Sequence, residues 1–283
     1  MASNYAQAHE FPAGPGDARP TASQIIKDEG LEGKWQDKVI LITGGSAGIG
    51  LETARALAAT GANLYLTGRD LDVRAFAADF TSKTSKLNIL IENAGTQYGT
   101  NHLAHFLLFQ LLKSTLLASS TPDFNSRVAI LSSMGHRAAE VNFDNLTFKG
   151  EYNPWVAYGQ SKTANVWTAG QIDRLYGSKG IHAWSIHPGV VFTGLYKHAT
   201  EDDIAATQGD TEFVKIIKTP EQGAATAVWA VTAKTLEGQG GKYLENCQIS
   251  KQNDPSGWQW ALGHAAWARR LGLRPGKAGE AVG

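Results

Sequence analysis

The stretch 38–61 constrains the fold more than any other part of the chain. A short apolar run, 38–42 (KVILI), leads into Thr43-Gly44-Gly45-Ser46-Ala47-Gly48-Ile49-Gly50, and a helical pattern (Leu51, Ala54, Leu57, Ala58) follows and stops at Gly61. An unbroken apolar run of that length suits a parallel strand buried on both faces. Glycines between such a strand and a helix permit a tight turn, close approach of backbone N–H groups to a pyrophosphate, and close helix–strand packing. The helix N-terminus adds partial positive charge at the same place. A second apolar run, 62–67 (ANLYLT), completes a strand–helix–strand unit. That unit commits the chain to a parallel sheet with helices on its faces.

The rest of the sequence continues the alternation. Further strands are expected at 87–91 (LNILI), 127–132 (RVAILS), 181–187 (IHAWSIH) and 240–246 (GGKYLEN). Helical patterns lie between them, the longest through Tyr158 to Tyr176, and Thr219 with Pro220 reads as the capped start of the last. No internal repeat and no second domain boundary appear. The expected fold is a single α/β domain, a Rossmann-like doubly wound parallel sheet, over 35–250. Residues 1–34 read as a flexible arm, with a short helix capped by Thr21, and 251–283 as an amphipathic helix (Trp258, Trp260, Trp267) and tail.

Charge and cysteine usage exclude several functions. The 26 basic and 26 acidic side chains cancel, which argues against nucleic acid or an acidic membrane surface as the main partner. Cys247 is the one cysteine, so no disulfide framework and no cysteine metal cluster is expected, and the histidines lack ligand spacing. Neither a signal peptide nor a stretch of ~20 apolar residues is present. The chain reads as soluble and cytoplasmic, without a bound metal.

Four strand ends carry small or polar motifs where open parallel sheets form ligand crevices. One is the glycine loop. The others are Asn93-Ala94-Gly95, Ser132-Ser133, and His187-Pro188-Gly189-Val190-Val191-Phe192-Thr193. Tyr158 and Lys162 stand four apart and so share one helix face. A phenol of ordinary pKa near 10 is a poor proton carrier at neutral pH, and a neighbouring ammonium lowers that pKa. Ser133 is placed to hydrogen-bond a substrate oxygen while the phenol exchanges its proton. Beyond the second strand, Arg69 lies 19 and Asp70 lies 20 residues after Gly50. An acid there grips an NAD ribose, whereas an Arg accommodates the NADP 2′-phosphate. Arg69 is nearer the strand, which favours NADP(H) over NAD(H).

The ordered set TGGSAGIG, NAG, SS, YGQSK and HPGVVFT resembles the short-chain dehydrogenase/reductase superfamily. GTNHLAHFLL and YNPWVAYGQSKTANV are similar to its retinol-dehydrogenase-like and WW-domain-oxidoreductase-like fungal branch, over about 35–246. The resemblance implies hydride transfer between NADP(H) and a small-molecule carbonyl/alcohol pair. It implies Tyr158 as proton donor or acceptor, Lys162 as its pKa modulator and ribose ligand, Ser133 as carbonyl polariser, and Asn101 as support for a relay water. It also implies a cofactor site from Gly44, Ser46, Gly48, Ile49, Gly50, Arg69, Asn93, Ala94, Tyr158, Lys162, Pro188, Gly189, Val191 and Thr193. Association with further copies of the chain stays open.

Three departures from the family pattern stand out. Two βαβ units between the second strand and NAG need roughly 60 residues, yet Arg69 to Asn93 spans 24. One outer strand and its helix are therefore expected to be missing, which would leave 62–67 at the sheet edge and open the adenine side. Glu92 stands where the family commonly has an amide, and the loop from Gly95 to Asn101 is short. A rival reading follows: a catalytically weak or silent dinucleotide-binding protein. His136 reads as a loop residue, and 194–219 as a substrate-side segment or an ordinary loop.

Overall fold

A computed structural model describes residues 5–68, 72–95, 98–150, 152–192 and 211–250. From the N-terminus come α1 (Ala22–Asp28), β1 (Val39–Thr43), α2 (Gly48–Ala58), β2 (Asn63–Thr67), α3 (Val73–Lys83) and β3 (Ile89–Glu92). They are followed by α4 (His105–Ser119), β4 (Ser126–Leu131), α5 (Pro154–Tyr176), β5 (Ile181–His187) and β6 (Val190–Val191). The last elements are α6 (Thr211–Ile216), β7 (Ile217–Lys218), α7 (Pro220–Thr232), β8 (Tyr243–Glu245) and β9 (Gln248–Ile249). The main sheet has the order β2-β1-β3-β4-β5-β8-β9, parallel except for the final hairpin, and β6 pairs with β7 in a separate two-stranded ribbon.

The apolar pattern dictates the layers. Every residue of β1, β3, β4 and β5 is buried, as strands covered on both faces must be. Alternation then sends Ile40, Ile42, Ile89, Ile91 and Ala129 into a core beneath α1, α2 and α7. Leu41, Leu90, Val128 and Ile130 enter a second core under α3, α4 and α5. This is the doubly wound arrangement expected from the sequence. β2 is the edge: it pairs with β1 alone among the described residues, its burial is incomplete, and Leu66 is 47% exposed. α3 by itself connects it to β3.

The segment before β1 departs from expectation. Residues 5–34 are not a free arm: Ile25 and Ile26 are buried beneath α7, and Arg19 is 3% exposed in a cage of backbone carbonyls. Its polar composition concealed this because the docking uses hydrogen bonds rather than a long apolar stripe. The expected strand 240–246 is shorter than read, since Asn246 and Cys247 both take positive φ and turn the chain into β9. Cys247 is buried, as the sequence suggested. The proposed tryptophan helix and tail, 251–283, lie outside the described residues.

Candidate active site

The glycine loop joins β1 to α2 and is held from below by β3. Asn93 donates its side-chain amide to the carbonyls of Thr43 (3.0 Å) and Gly44 (3.1 Å). Gly44 has φ +66°, and a Cβ there would lie 2.9 Å from Cα of Ala94, so only glycine fits. At Gly50 a Cβ would collide with the Gly44 carbonyl and the Asn93 amide. The start of α2 has no side-chain cap on Ala47 and no acidic residue in its first turn. Its first N–H donors therefore remain for an external anion, which fits a pyrophosphate. Ser46 is exposed at the loop tip, beside Ile49 and Gly48.

Thr43, the last residue of β1, is a hub that the motif reading overlooked. Its Oγ1 accepts the N–H groups of Asn93 (2.9 Å) and Ala94 (3.1 Å) and lies 2.8 Å from Nε2 of His105. With both lone pairs occupied, the hydroxyl gives its proton to Nε2, so His105 carries its own proton on Nδ1. That proton goes to the Asn101 carbonyl at 3.2 Å. Burial, the largest influence, keeps this imidazole neutral, with its pKa lowered to about 4.

Asn101 sits in a π-helical turn, Gly99–Ala104, at the entrance to α4 and is buried. Its amide donates to Ser161 Oγ (2.9 Å), and its carbonyl accepts from Asn165 Nδ2 (3.0 Å) as well as from His105. Asn165 also donates to the Leu131 carbonyl (3.0 Å), the same oxygen that receives Lys162 Nζ at 3.0 Å. Lys162 is fully enclosed, and burial lowers its pKa to about 8. Its backbone carbonyl is fixed by Ser132 Oγ at 2.8 Å.

Tyr158 and Lys162 project from the same face of α5, with the ammonium 5.5 Å from the phenol ring centre. A Cβ on Gly135 would meet the Tyr158 ring at 2.9 Å and Ser133 Oγ at 3.4 Å, so an edge of that ring and the serine hydroxyl both border Gly135. Ser133 caps the short turn Met134–Ala138 by accepting Gly135 N–H at 3.1 Å. His136, from that turn, has its Nδ1 2.6 Å from the Ser133 carbonyl and its ring against Tyr243. Pro188, Gly189 and Val191 follow β5. Val191 packs on Gly223 of α7, where Ile49 also arrives, so glycine loop and β6 meet on one helix. Arg69 and Thr193 lie outside the described residues, as do Asp70 and 193–210.

Of the residues singled out from sequence, the structure brings Ser133, Tyr158 and Lys162 together beside the end of β4 and ties Asn101 to the same helix through Ser161 and Asn165. Sequence reasoning missed Thr43, His105, Ser161 and Asn165. Spacing held a signal for two of them: His105 is four residues from Asn101, and Asn165 three from Lys162. Among the described residues there is no cluster of three metal-ligating side chains and no helix long and apolar enough to cross a membrane.

A doubly wound parallel sheet with this glycine loop and a Tyr–Lys helix beside a strand-end serine defines a nucleotide-binding oxidoreductase. The comparisons with known proteins agree. A family model described as short chain dehydrogenase matches residues 38–75. Short-chain dehydrogenase/reductase prx1 of Penicillium roqueforti is 42% identical over a 306-residue alignment that covers 93% of this chain and 89% of the relative. Retinol dehydrogenase 11 of Mus musculus is 32% identical, covering 75% of this chain and 79% of its own length. Among solved structures, the Pseudomonas aeruginosa RhlG/NADP active-site complex superposes with TM-score 0.59 at 20% identity, covering 73% of this chain and 93% of that one. The chain belongs to the short-chain dehydrogenase/reductase family.

Proposed function

We propose that this enzyme interconverts a small-molecule carbonyl and its alcohol with NADP(H). The observation that carries the reading is the convergence of Ser133 Oγ and the Tyr158 ring beside Gly135, with Lys162 on the same helix face. When bound, NADP(H) supplies or accepts the hydride. Tyr158 exchanges a proton with the substrate oxygen, and Ser133 donates a hydrogen bond to that oxygen. The Lys162 ammonium, still protonated below its pKa of about 8, favours the phenolate. One of its three N–H donors is spent on Leu131, leaving others for a ribose hydroxyl. Gly44, Gly48, Gly50 and the first turn of α2 hold the pyrophosphate, and Pro188, Gly189, Val191 and Thr193 the nicotinamide side. Arg69, following β2, sets the preference for NADP(H). Asn101 organises the proton relay, its carbonyl bridging Asn165 and His105 behind Lys162.

NADPH oxidation against a panel of aldehydes, ketones and quinones tests this reading. Activity in the wild type that Tyr158→Phe abolishes supports it; NADPH binding without turnover on any member refutes it. That second outcome is the rival reading, a silent dinucleotide-binding protein, and one observation favours it. Among the described residues β2 is the sheet edge, and the 306-position prx1 alignment takes in 93% of this 283-residue chain, so about 43 of its positions face a gap here. On that rival reading the adenine side would lack a wall, and weakened NADPH affinity is the expected result. Submicromolar binding by fluorescence titration would refute the truncation argument.

A further inference from the structure

We propose that Arg19 is a positioning residue for the nicotinamide side of the cofactor site. The proposal rests on the reading of Pro188, Gly189 and Val191 as that side. Arg19 belongs to the segment ahead of α1, and all three of its guanidinium nitrogens are engaged. Nε donates to Asp17 Oδ1 at 2.8 Å, and Nη1 to the Ile216 carbonyl at 2.9 Å. Nη2 reaches the carbonyls of Gly14 (3.0 Å), Lys215 (3.2 Å) and Ile217 (2.6 Å). Lys215 and Ile216 end α6, and Ile217 begins β7, so the guanidinium closes the orphan carbonyls at a helix C-terminus. A planar fork of five donors matches this fan of acceptors, and an ammonium of three does not.

The partners of that backbone connect Arg19 to the cofactor side. β7 pairs residue for residue with β6: Val190 with Ile217, Val191 with Lys218. β6 directly follows Pro188-Gly189, and the buried Lys218 side chain lies against Gly189, where a Cβ would be 2.7 Å from its Cδ. Gln222, at the start of α7, locks the other side of the strap formed by residues 14–19. Its Oε1 accepts Gly16 N–H at 3.0 Å, and its Nε2 donates to the carbonyls of Asp17 (3.2 Å) and Arg19 (3.1 Å). Asp17 neutralises the buried guanidinium; burial pushes its carboxyl up, but the Arg19 and Ala13 hydrogen bonds outweigh that and hold it at about 2. Arg19 touches neither substrate nor cofactor. It fixes β7, β7 fixes β6, and β6 sets the height of the loop that receives the nicotinamide.

The test compares wild type, Arg19→Ala and Arg19→Lys in two assays. The first is hydrogen exchange in the ligand-free proteins, read at 190–191 and 217–218. The second is titration with NADPH and with 2′-phospho-ADP-ribose, which lacks the nicotinamide. Arg19→Ala is expected to exchange faster at both limbs of the ribbon and to bind NADPH about tenfold more weakly, with affinity for the fragment unchanged. Arg19→Lys, with the charge but not the fork, falls between, and it carries the same comparison should Arg19→Ala not fold. Unchanged exchange at 190–191, or a parallel loss for NADPH and fragment, overturns the proposal. A wild type that binds neither probe refutes the cofactor reading and this inference together. A wild type that binds both, beside a matching Arg19→Ala, refutes this inference alone.

Discussion

Glu92 offers the sharpest test of the buried site. It ends β3, paired with Ile130 of β4, and alternation places it on the face of Leu90, beneath the α4 and α5 layer. The side chain is 1% exposed, and its Oε1 is buried with no hydrogen-bond partner. Burial alone drives its pKa well above the usual 4.5, so the folded protein holds a neutral carboxylic acid there. An unfolded chain ionises the same group near 4.5. Above that pH the folded state binds a proton that the unfolded state has released, so the group costs stability, and the cost rises with pH. Linkage fixes the slope at about 1.4 kcal/mol per pH unit for one proton, up to the folded pKa.

Glu92→Gln keeps the shape and removes the titration. Its unfolding free energy minus that of the wild type should therefore grow as pH rises above about 4.5, with a slope of up to about 1.4 kcal/mol per pH unit for the one proton, and level off once the folded acid ionises. Each unit of that climb is a sizeable share of a typical domain stability of about 5–15 kcal/mol. Urea unfolding at three pH values, followed by fluorescence of the buried Trp184 and Trp229, gives the difference directly. Other titrating groups are common to both proteins and cancel. The constant cost or gain of the amide shifts the whole line without tilting it. A flat difference would show that Glu92 is ionised or solvated in the fold, and the argument from burial would fail.

His9 and His105 act at lower pH with the opposite sign: burial first of all lowers both to about 4, so between 6.5 and 4 the unfolded chain takes up protons that the fold refuses. Stability in the Glu92→Gln background should fall as pH drops through that window, by about 2.7 kcal/mol per unit for the two groups, and a level profile of urea midpoints would refute their neutrality. Gly223→Ala should lower Tm even though alanine favours a helix by ~1 kcal/mol, because its Cβ would press to 2.6 Å from Val191 Cγ2 and 3.3 Å from Ile49 Cγ1, and overpacking costs about 1–3 kcal/mol. A Tm at or above the wild-type value would show that this junction yields freely.

What the sequence could disclose follows from the range of each interaction. β1 and β5 are legible because burial on both faces demands an unbroken apolar run, a property of five to seven neighbouring residues. Tyr158 and Lys162 are legible because one helical turn brings them together. β6 and β7 have two residues each, too few to show a period, and their pairing joins segments 27 positions apart. Thr43 meets His105 across 62 positions, and Asn101 meets Ser161 across 60, so neither partner marks the other locally. The strap is the extreme case. Gly14, Asp17 and Arg19 sit among prolines and polar residues, and three of the four carbonyls that bury Arg19 lie 196 to 198 positions away, in backbone whose side chains carry no trace of the contact. Side-chain pattern therefore encodes the layers and the Tyr158–Lys162 helix. Much of what holds the β6–β7 ribbon in place is backbone hydrogen bonding, whose acceptors are identical at every residue, and only the fold shows which of them are left over.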